Sequence, residues 1–455
     1  MIILNNKPIA MKLLKHLIVF LILIFLVSST TSCSPEEVEV PVEVEASRVS
    51  DDANEDDDED DDEDDDDDDD DDEDELIKHP TLFFVRLDPS ISEDEIEDLL
   101  TDLNSVEVWF REEINLRLWN TNVFPYTSMA GEQITNIDGQ IARAKKRAKL
   151  NDVEFNFGSV LRDPTSSQDL FCFESSSVLA PASDASVKIA IFDSGIDENA
   201  LMGIAPNLLD EYSGYDYVND DEVPEDQNGH GTQITSLIYH LINKEQEAPD
   251  ITFDIRKTHD AQGIGYLSHL IPAILDSVDE GAKILNFSFS YQDENTDTSN
   301  RPLRLAIDYA AQNGVLMVAS AGNTNKNNDA DDIISFPASY PSNHILSVAS
   351  LSCEDKLSGF SSYGRNTVDV AYLGEHIPTT GLNGAQLDKS GTSYTTAYVT
   401  AMAAIMASHN ENISAAAIKC SLIETSVYSD ELKDLILSQG IINFSSALEQ
   451  MGSCQ

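Results

Sequence analysis

Between residues 51 and 75, 23 of 25 residues are Asp or Glu. Such a run has no apolar surface to bury and repels itself, so it cannot belong to a packed core. It divides the chain, and everything able to fold into a globule lies after it. The run is expected to be an extended, disordered spacer, also able to collect divalent cations loosely. It carries much of the net charge of −56, and so acidic a chain argues against nucleic acid as a partner. The 455 residues, 41% of them apolar, suggest two or three domains in all.

What precedes the spacer reads as an export signal. Residues 17–27 (LIVFLILIFLV) are an unbroken apolar run, with Lys12, Lys15 and His16 before it and SSTTS, then Cys33, after it. That layout is that of a secretory signal peptide, and the core is short for a membrane span, which needs about 20 residues. Thr31-Ser32-Cys33 resembles the end of a bacterial lipoprotein signal, although Thr30 stands where an aliphatic residue is usual. The resemblance implies a lipid on Cys33 and an exported lipoprotein of the outer membrane or cell surface. Ordinary cleavage near Ser32, an uncleaved anchor and release to the medium stay open. Residues 34–75 would then be a tether. An exported protein meets oxidising conditions, so Cys172, Cys353, Cys420 and Cys454 are candidates for pairing in any of three connectivities. One hypothesis joins Cys420 to Cys454, which flank the last helical segment. The cysteine spacing fits no zinc motif.

Residues 76–160 read as a small α+β unit. Thr81–Leu87 is apolar and β-prone, and Ser92 with Glu95 forms a capping box before Ile96, Leu99, Leu100 and Leu103 at helical spacing. Val106–Phe110 and Ile114–Trp119 are expected as strands, Gly131–Leu150 as a second helix and Val153–Phe157 as a fourth strand. The order βαββαβ is ferredoxin-like. Residues 161–186, rich in Ser, Asp, Pro and Ala, read as a linker and a candidate processing site.

Three motifs follow. Val187–Phe192 is a buried-type strand ending on Asp193-Ser194-Gly195, which places Asp193 at the carboxyl edge of a parallel sheet, where open α/β sheets keep their ligands. Asn228-Gly229-His230-Gly231-Thr232 opens a helix, and a His at a helix start is disfavoured as a cation, which suits a base. Ser390-Gly391-Thr392-Ser393 opens a helix of small residues over 394–407, a rigid platform whose dipole favours a developing oxyanion. Taken singly, each has a plain structural reading: a turn Asp, a His beside glycines, a helix-capping Ser.

Jointly, and in this order, they resemble the subtilisin family over residues 187–450. The resemblance implies a doubly wound parallel sheet with helices on both faces, and a serine endopeptidase with Asp193, His230 and Ser393 as its triad. It implies an oxyanion role for Asn323, at the end of Val318-Ala319-Ser320-Ala321-Gly322-Asn323. It implies substrate contacts at Ser288, Phe289 and Ser290 on one wall of a cleft, Gly263 and Gly265 on the other, and Gly322 near the primary pocket. No charged residue is placed at that pocket's base, so a medium or apolar side chain is expected before the cleaved bond. The 76–160 unit would correspond to the family's propeptide and is a candidate inhibitor of its own cleft; an independent accessory domain is the other reading. No cofactor is expected for the chemistry. The acidic loop 219–226 could hold a structural calcium ion or be merely solvated. Four residues depart from the family: Gln233 for a second His, Tyr394 for a small residue or Met, Ala397 for Pro, and Ser290 for Gly. Expected partners are protein or peptide substrates and, through the lipid, a membrane. The competing class is a surface lipoprotein, catalytically weak or inactive, that uses the fold for binding.

Overall fold

The computed structural model describes residues 77–161, 163–164, 186–243, 250–294, 301–330 and 332–454. Cys33, Cys172, the signal-like segment and the acidic run lie outside the described residues. Among the described residues no helix is long and apolar enough to cross a membrane.

The first part is built from β1 (Lys78–Leu87), α1 (Glu93–Asp102), β2 (Ser105–Arg111), β3 (Leu116–Thr121), α2 (Ile137–Ala144) and β4 (Leu150–Val160). The strands lie in the order β4-β1-β3-β2 and pair antiparallel, as βαββαβ predicts. Ser92 and Glu95 make the reciprocal capping box that starts α1. The second helix is much shorter than the expected Gly131–Leu150. Gly131 sits in a turn at φ +82°, Gln133–Ile134 pairs with Tyr126–Thr127, and the Asn136 side chain caps Gly139 N–H, so the helix starts only at Ile137. Alternation along β1 decides what packs where. Phe83, Val85 and Leu87 face the unit's own helices with Ile96, Ile141 and Trp119. Phe84, on the other face, joins Leu116, Leu118 and Phe157 against the larger part of the protein.

That larger part holds a nine-stranded sheet. In chain order its strands are β5 (Val187–Asp193), β6 (Ser213–Asp216), β7 (Ile251–Lys257), β9 (Ile284–Phe287), β10 (Leu316–Ser320), β11 (Ile345–Leu351), β12 (Val370–Leu373), β13 (Val427–Tyr428) and β14 (Gly440–Ile441). The sheet order is β13-β14-β12-β11-β10-β9-β5-β7-β6, with every neighbour pair parallel except the edge pair β13–β14. Both faces are covered, so β5 is apolar on both sides, as a parallel strand must be. Val187, Ile189 and Ile191 pack with α3 (His230–Ile242) and α5 (Thr392–His409). Ala190 and Phe192 pack with α4 (Leu267–Asp279) and the helix Arg301–Gln312.

The two parts share a sheet. A short strand of the larger part, β8 (Ile264–Tyr266), pairs antiparallel with the end of β4, with Ile264 opposite Val160 and Tyr266 opposite Gly158. Around this seam Arg111 pairs with Asp276 and Asp279 on α4.

Candidate active site

Asp193 ends β5 and His230 begins α3, so the sheet's carboxyl edge and a helix start bring them together. His230 Nδ1 lies 2.9 Å from both carboxylate oxygens of Asp193. A carboxylate only accepts, so Nδ1 carries the proton and the reactive Nε2 points away from Asp193. The two motifs are locked by a further bond, Gly231 N–H to Ser194 Oγ at 2.9 Å. A β-carbon on Gly231 would run into the carbonyl of Gly195, which is why the glycine after the His is needed. Asp193 and His230 are both buried. Burial works against a charged imidazole, but the Asp193 carboxylate, then Asp163 and Asp226, outweigh it and raise the His230 pKa to about 9.

Ser393 lies in the first turn of α5, which is almost wholly buried. Its Oγ donates to the carbonyl of Ser288 at 2.7 Å, and Ser288 Oγ donates back to the Ser393 carbonyl at 3.1 Å. Asn323 follows the end of β10. Its Oδ1 accepts from Thr392 N–H (2.9 Å) and Thr392 Oγ1 (2.8 Å). The backbone N–H can only donate, so this fixes which end of the Asn323 amide carries the donors.

The residues expected along the cleft lie as follows. Gly263, at φ +77°, accepts from Leu161 N–H at 2.8 Å, and Gly265 stands opposite Ser159. Gly322 adopts φ +109°, and the Ser335 hydroxyl closes the space a β-carbon would need. The Phe289 side chain is turned inward, its ring 4.5 Å from His259 and 5.7 Å from Tyr291, so only backbone is offered to the cleft there. Ser290 is partly exposed next to it.

Sequence reasoning offered the tail of the 76–160 unit as a candidate for this cleft but singled out no side chain within it. Asp163 lies with Oδ1 4.0 Å from His230 Nε2, and its carboxylate is 3.0 Å from the Tyr394 hydroxyl and 2.8 Å from Lys389 Nζ. The segment had the composition of a linker, and nothing in it marks a side chain for this place. The departures Tyr394 and Gln233 are in contact with each other, hydroxyl to Oε1 at 2.7 Å.

In the loop before His230 the carboxylates already have partners. Asp226 accepts from the N–H groups of Asn228, Gly229 and Thr232 and from Thr232 Oγ1. The buried ammonium of Lys257 reaches Asp216, the Glu225 carbonyl and Gln227 Oε1 at 3.1, 2.7 and 2.5 Å. No group of three or more metal-binding side chains occurs among the described residues.

The buried Asp193–His230 pair and the helix-borne Ser393 lie at the carboxyl edge of a doubly wound parallel sheet, which places the chain in the doubly wound α/β class. The chain belongs to the subtilase family, whose model matches residues 184–443. Thermitase from Thermoactinomyces vulgaris is 31% identical over 51% of this chain and 79% of its own. A thermophilic serine proteinase from a Bacillus species, strain AK1, is 31% identical over 50% of this chain, a match that spans only 53% of that proteinase. Among solved structures, the epidermin leader peptide processing serine protease of Staphylococcus aureus superposes with a TM-score of 0.61 at 17% identity, over 81% of this chain and 99% of that one. Fervidolysin from Fervidobacterium pennivorans does so at 0.61 and 19%, over 83% and 62%. At such identities these two likenesses speak for the fold alone, the subtilisin-like α/β fold expected from the motifs.

Proposed function

We propose that the chain is a serine endopeptidase that cleaves protein or peptide substrates through Ser393, His230 and Asp193, and that it is exported and held at the cell surface by a lipid on Cys33. The observation that carries the enzymatic part is the His230–Asp193 pair, with the imidazole 6.0 Å from the ring of Tyr394, the residue after Ser393; once Asp163 no longer helps to hold the imidazolium, Nε2 is the base. The Ser393 hydroxyl attacks the scissile carbonyl and His230 Nε2 takes its proton. The charge that develops on the carbonyl oxygen is held, in this reading, by the Asn323 amide and the Ser393 N–H. His230 then gives the proton to the leaving amine, and water repeats the sequence on the acyl-enzyme to release the acid and restore Ser393. No metal is assigned to residues 219–226.

The 76–160 unit acts, in this reading, as an inhibitor carried in cis. Residues 158–161 lie along β8 as a substrate strand would, and Asp163 follows them into the cleft. Reaction with a fluorophosphonate probe, lost in Ser393→Ala, together with hydrolysis of a peptide substrate, tests the enzyme. A folded wild type that neither labels nor hydrolyses leaves the binding-protein reading in its place. An alkynyl fatty acid should mark the parent in cells and not Cys33→Ser.

A further inference from the structure

The chain's own tail shows which side chain the far half of the cleft accepts. Backbone pairing fixes its direction: Gly158 to Leu161 run along Tyr266 to Gly263, so the chain enters from the β8 side and is at His230 with Asp163. Pro164 then reaches Gly391, its Cδ in van der Waals range of where a β-carbon on that glycine would stand. Whatever lies after His230 in this direction belongs to the leaving-amine half of a bound peptide. There the Asp163 carboxylate meets two groups. Lys389 Nζ is 2.8 Å away, on a side chain 29% exposed, and the Tyr394 hydroxyl is 3.0 Å from both oxygens.

Tyr394 has one proton to give. It is 2.7 Å from Gln233 Oε1 as well as in reach of Asp163, and cannot donate to both. With the Gln233 amide turned so that its NH2 donates to the Tyr394 oxygen, the phenolic O–H is directed at the carboxylate. Gln233 thereby positions Tyr394, and the two departures from the family pattern become one device. Lys389 supplies an acidic side chain here with a cation in a protein of strongly negative charge.

We propose that Lys389 and Tyr394, positioned by Gln233, form a specificity subsite that selects an acidic residue on the leaving-amine side of the bond to be cut. The inference rests on the peptidase reading. Its substrates are then peptides with Asp or Glu at the position that Asp163 takes in the tail.

The test uses the full chain, with competent molecules first counted by fluorophosphonate titration. Internally quenched peptides identical except for Asp, Asn or Lys after the cleaved bond are then compared within each variant. Expected in the parent is a kcat/KM for Asp over Asn of roughly three- to tenfold, the scale of a partly exposed charge-assisted contact, with Lys lowest. Lys389→Met should bring the Asp-to-Asn ratio to within about twofold, and Lys389→Glu should put the Lys peptide ahead of the Asp peptide. Tyr394→Phe, which keeps the ring and removes only the hydroxyl, should lower the ratio in part. Equal Asp and Asn rates in the parent, or a ratio unchanged in both Lys389 variants, overturns the proposal while leaving the peptidase standing. A parent that folds yet neither labels nor cleaves overturns the peptidase reading and the subsite with it.

Discussion

Ser393 Oγ and the Ser288 carbonyl are joined by a hydrogen bond of 2.7 Å, and among the described residues no hydrogen bond joins Ser393 to His230. The Ser393 hydroxyl is thus held on backbone while Asp163 stands 4.0 Å from His230 Nε2. In the proposed mechanism Oγ rotates to Nε2 once the tail has left.

The tail's hold depends on β4–β8 pairing, which Leu161→Pro weakens by removing the donor to Gly263. Labelling of the full chain by a fluorophosphonate should become faster by several-fold in this variant. An unchanged labelling rate, with the fold intact by circular dichroism, would show that the tail does not limit access.

Asn323→Ala should lower turnover by about 10² to 10³ with KM little altered, because the amide works only once charge has developed; that scale is the one known for this donor in a subtilisin. Removing the acceptor of Thr392 should also reduce thermal stability. Asn323→Asp keeps that acceptor and loses the donors, so stability should return while turnover stays low. Steady-state kinetics with calorimetry on both variants separates the two roles.

The raised pKa of His230 makes the closed form pH-dependent. The folded value, about 9, lies above the ordinary 6.5, so stabilisation by the imidazolium is fully present below about pH 6.5 and is lost as pH rises through about 9. Asp163→Asn removes one of the carboxylates that hold the proton. The fall in melting temperature between pH 6 and pH 10 should be smaller in this variant than in the parent. Identical pH dependences would remove Asp163 from the electrostatics of the site.

Lys257→Met should destabilise the protein by about 3 kcal/mol or more, because it leaves Asp216 buried without its cation. Adding Asp216→Asn should recover part of the loss. Denaturant titration of the single and double variants reads both, and additive losses would mean that the two groups are not coupled.

Cys420 and Cys454 form a disulfide with a sequence separation of 34, the pairing expected from their positions around the last helical segment. A loop of that length corresponds to roughly 3–4 kcal/mol in the chain-entropy account. Cys420→Ser with Cys454→Ser should therefore lower the melting temperature. Recovery of both as free thiols in non-reduced peptide maps would reject the bridge.

The parts of the fold read most easily from the sequence were those that glycine and helix-start chemistry specify. Asp193, His230 and Ser393 each sit at an element boundary bracketed by residues that only such a boundary needs. The βαββαβ order was legible for the same reason, through the Ser92–Glu95 box and the apolar spacing behind it. The helix expected over 131–150 was not, because Gly131, the small hairpin and the Asn136 cap act through local geometry that weakens no periodicity. The tail of the first unit was a candidate for the cleft from its place in the chain, but its residues in contact were illegible. Residues 158–161 are held through main-chain pairing, which nearly any sequence can supply, and Asp163 takes its closest side-chain partners from Lys389 and Tyr394, more than 200 positions away.

The strand that β4 extends to β8 is covalently part of the molecule whose cleft it lies in. Its binding is therefore unimolecular, and the cleft meets it at an effective concentration of the order of millimolar, whatever the amount of protein present. A segment of modest intrinsic affinity can then keep the site filled at any dilution. A cut in 165–185, together with reduction of the disulfide made by Cys353, would end that arrangement, turning occupancy into an ordinary bimolecular equilibrium that dilution drives toward the empty cleft.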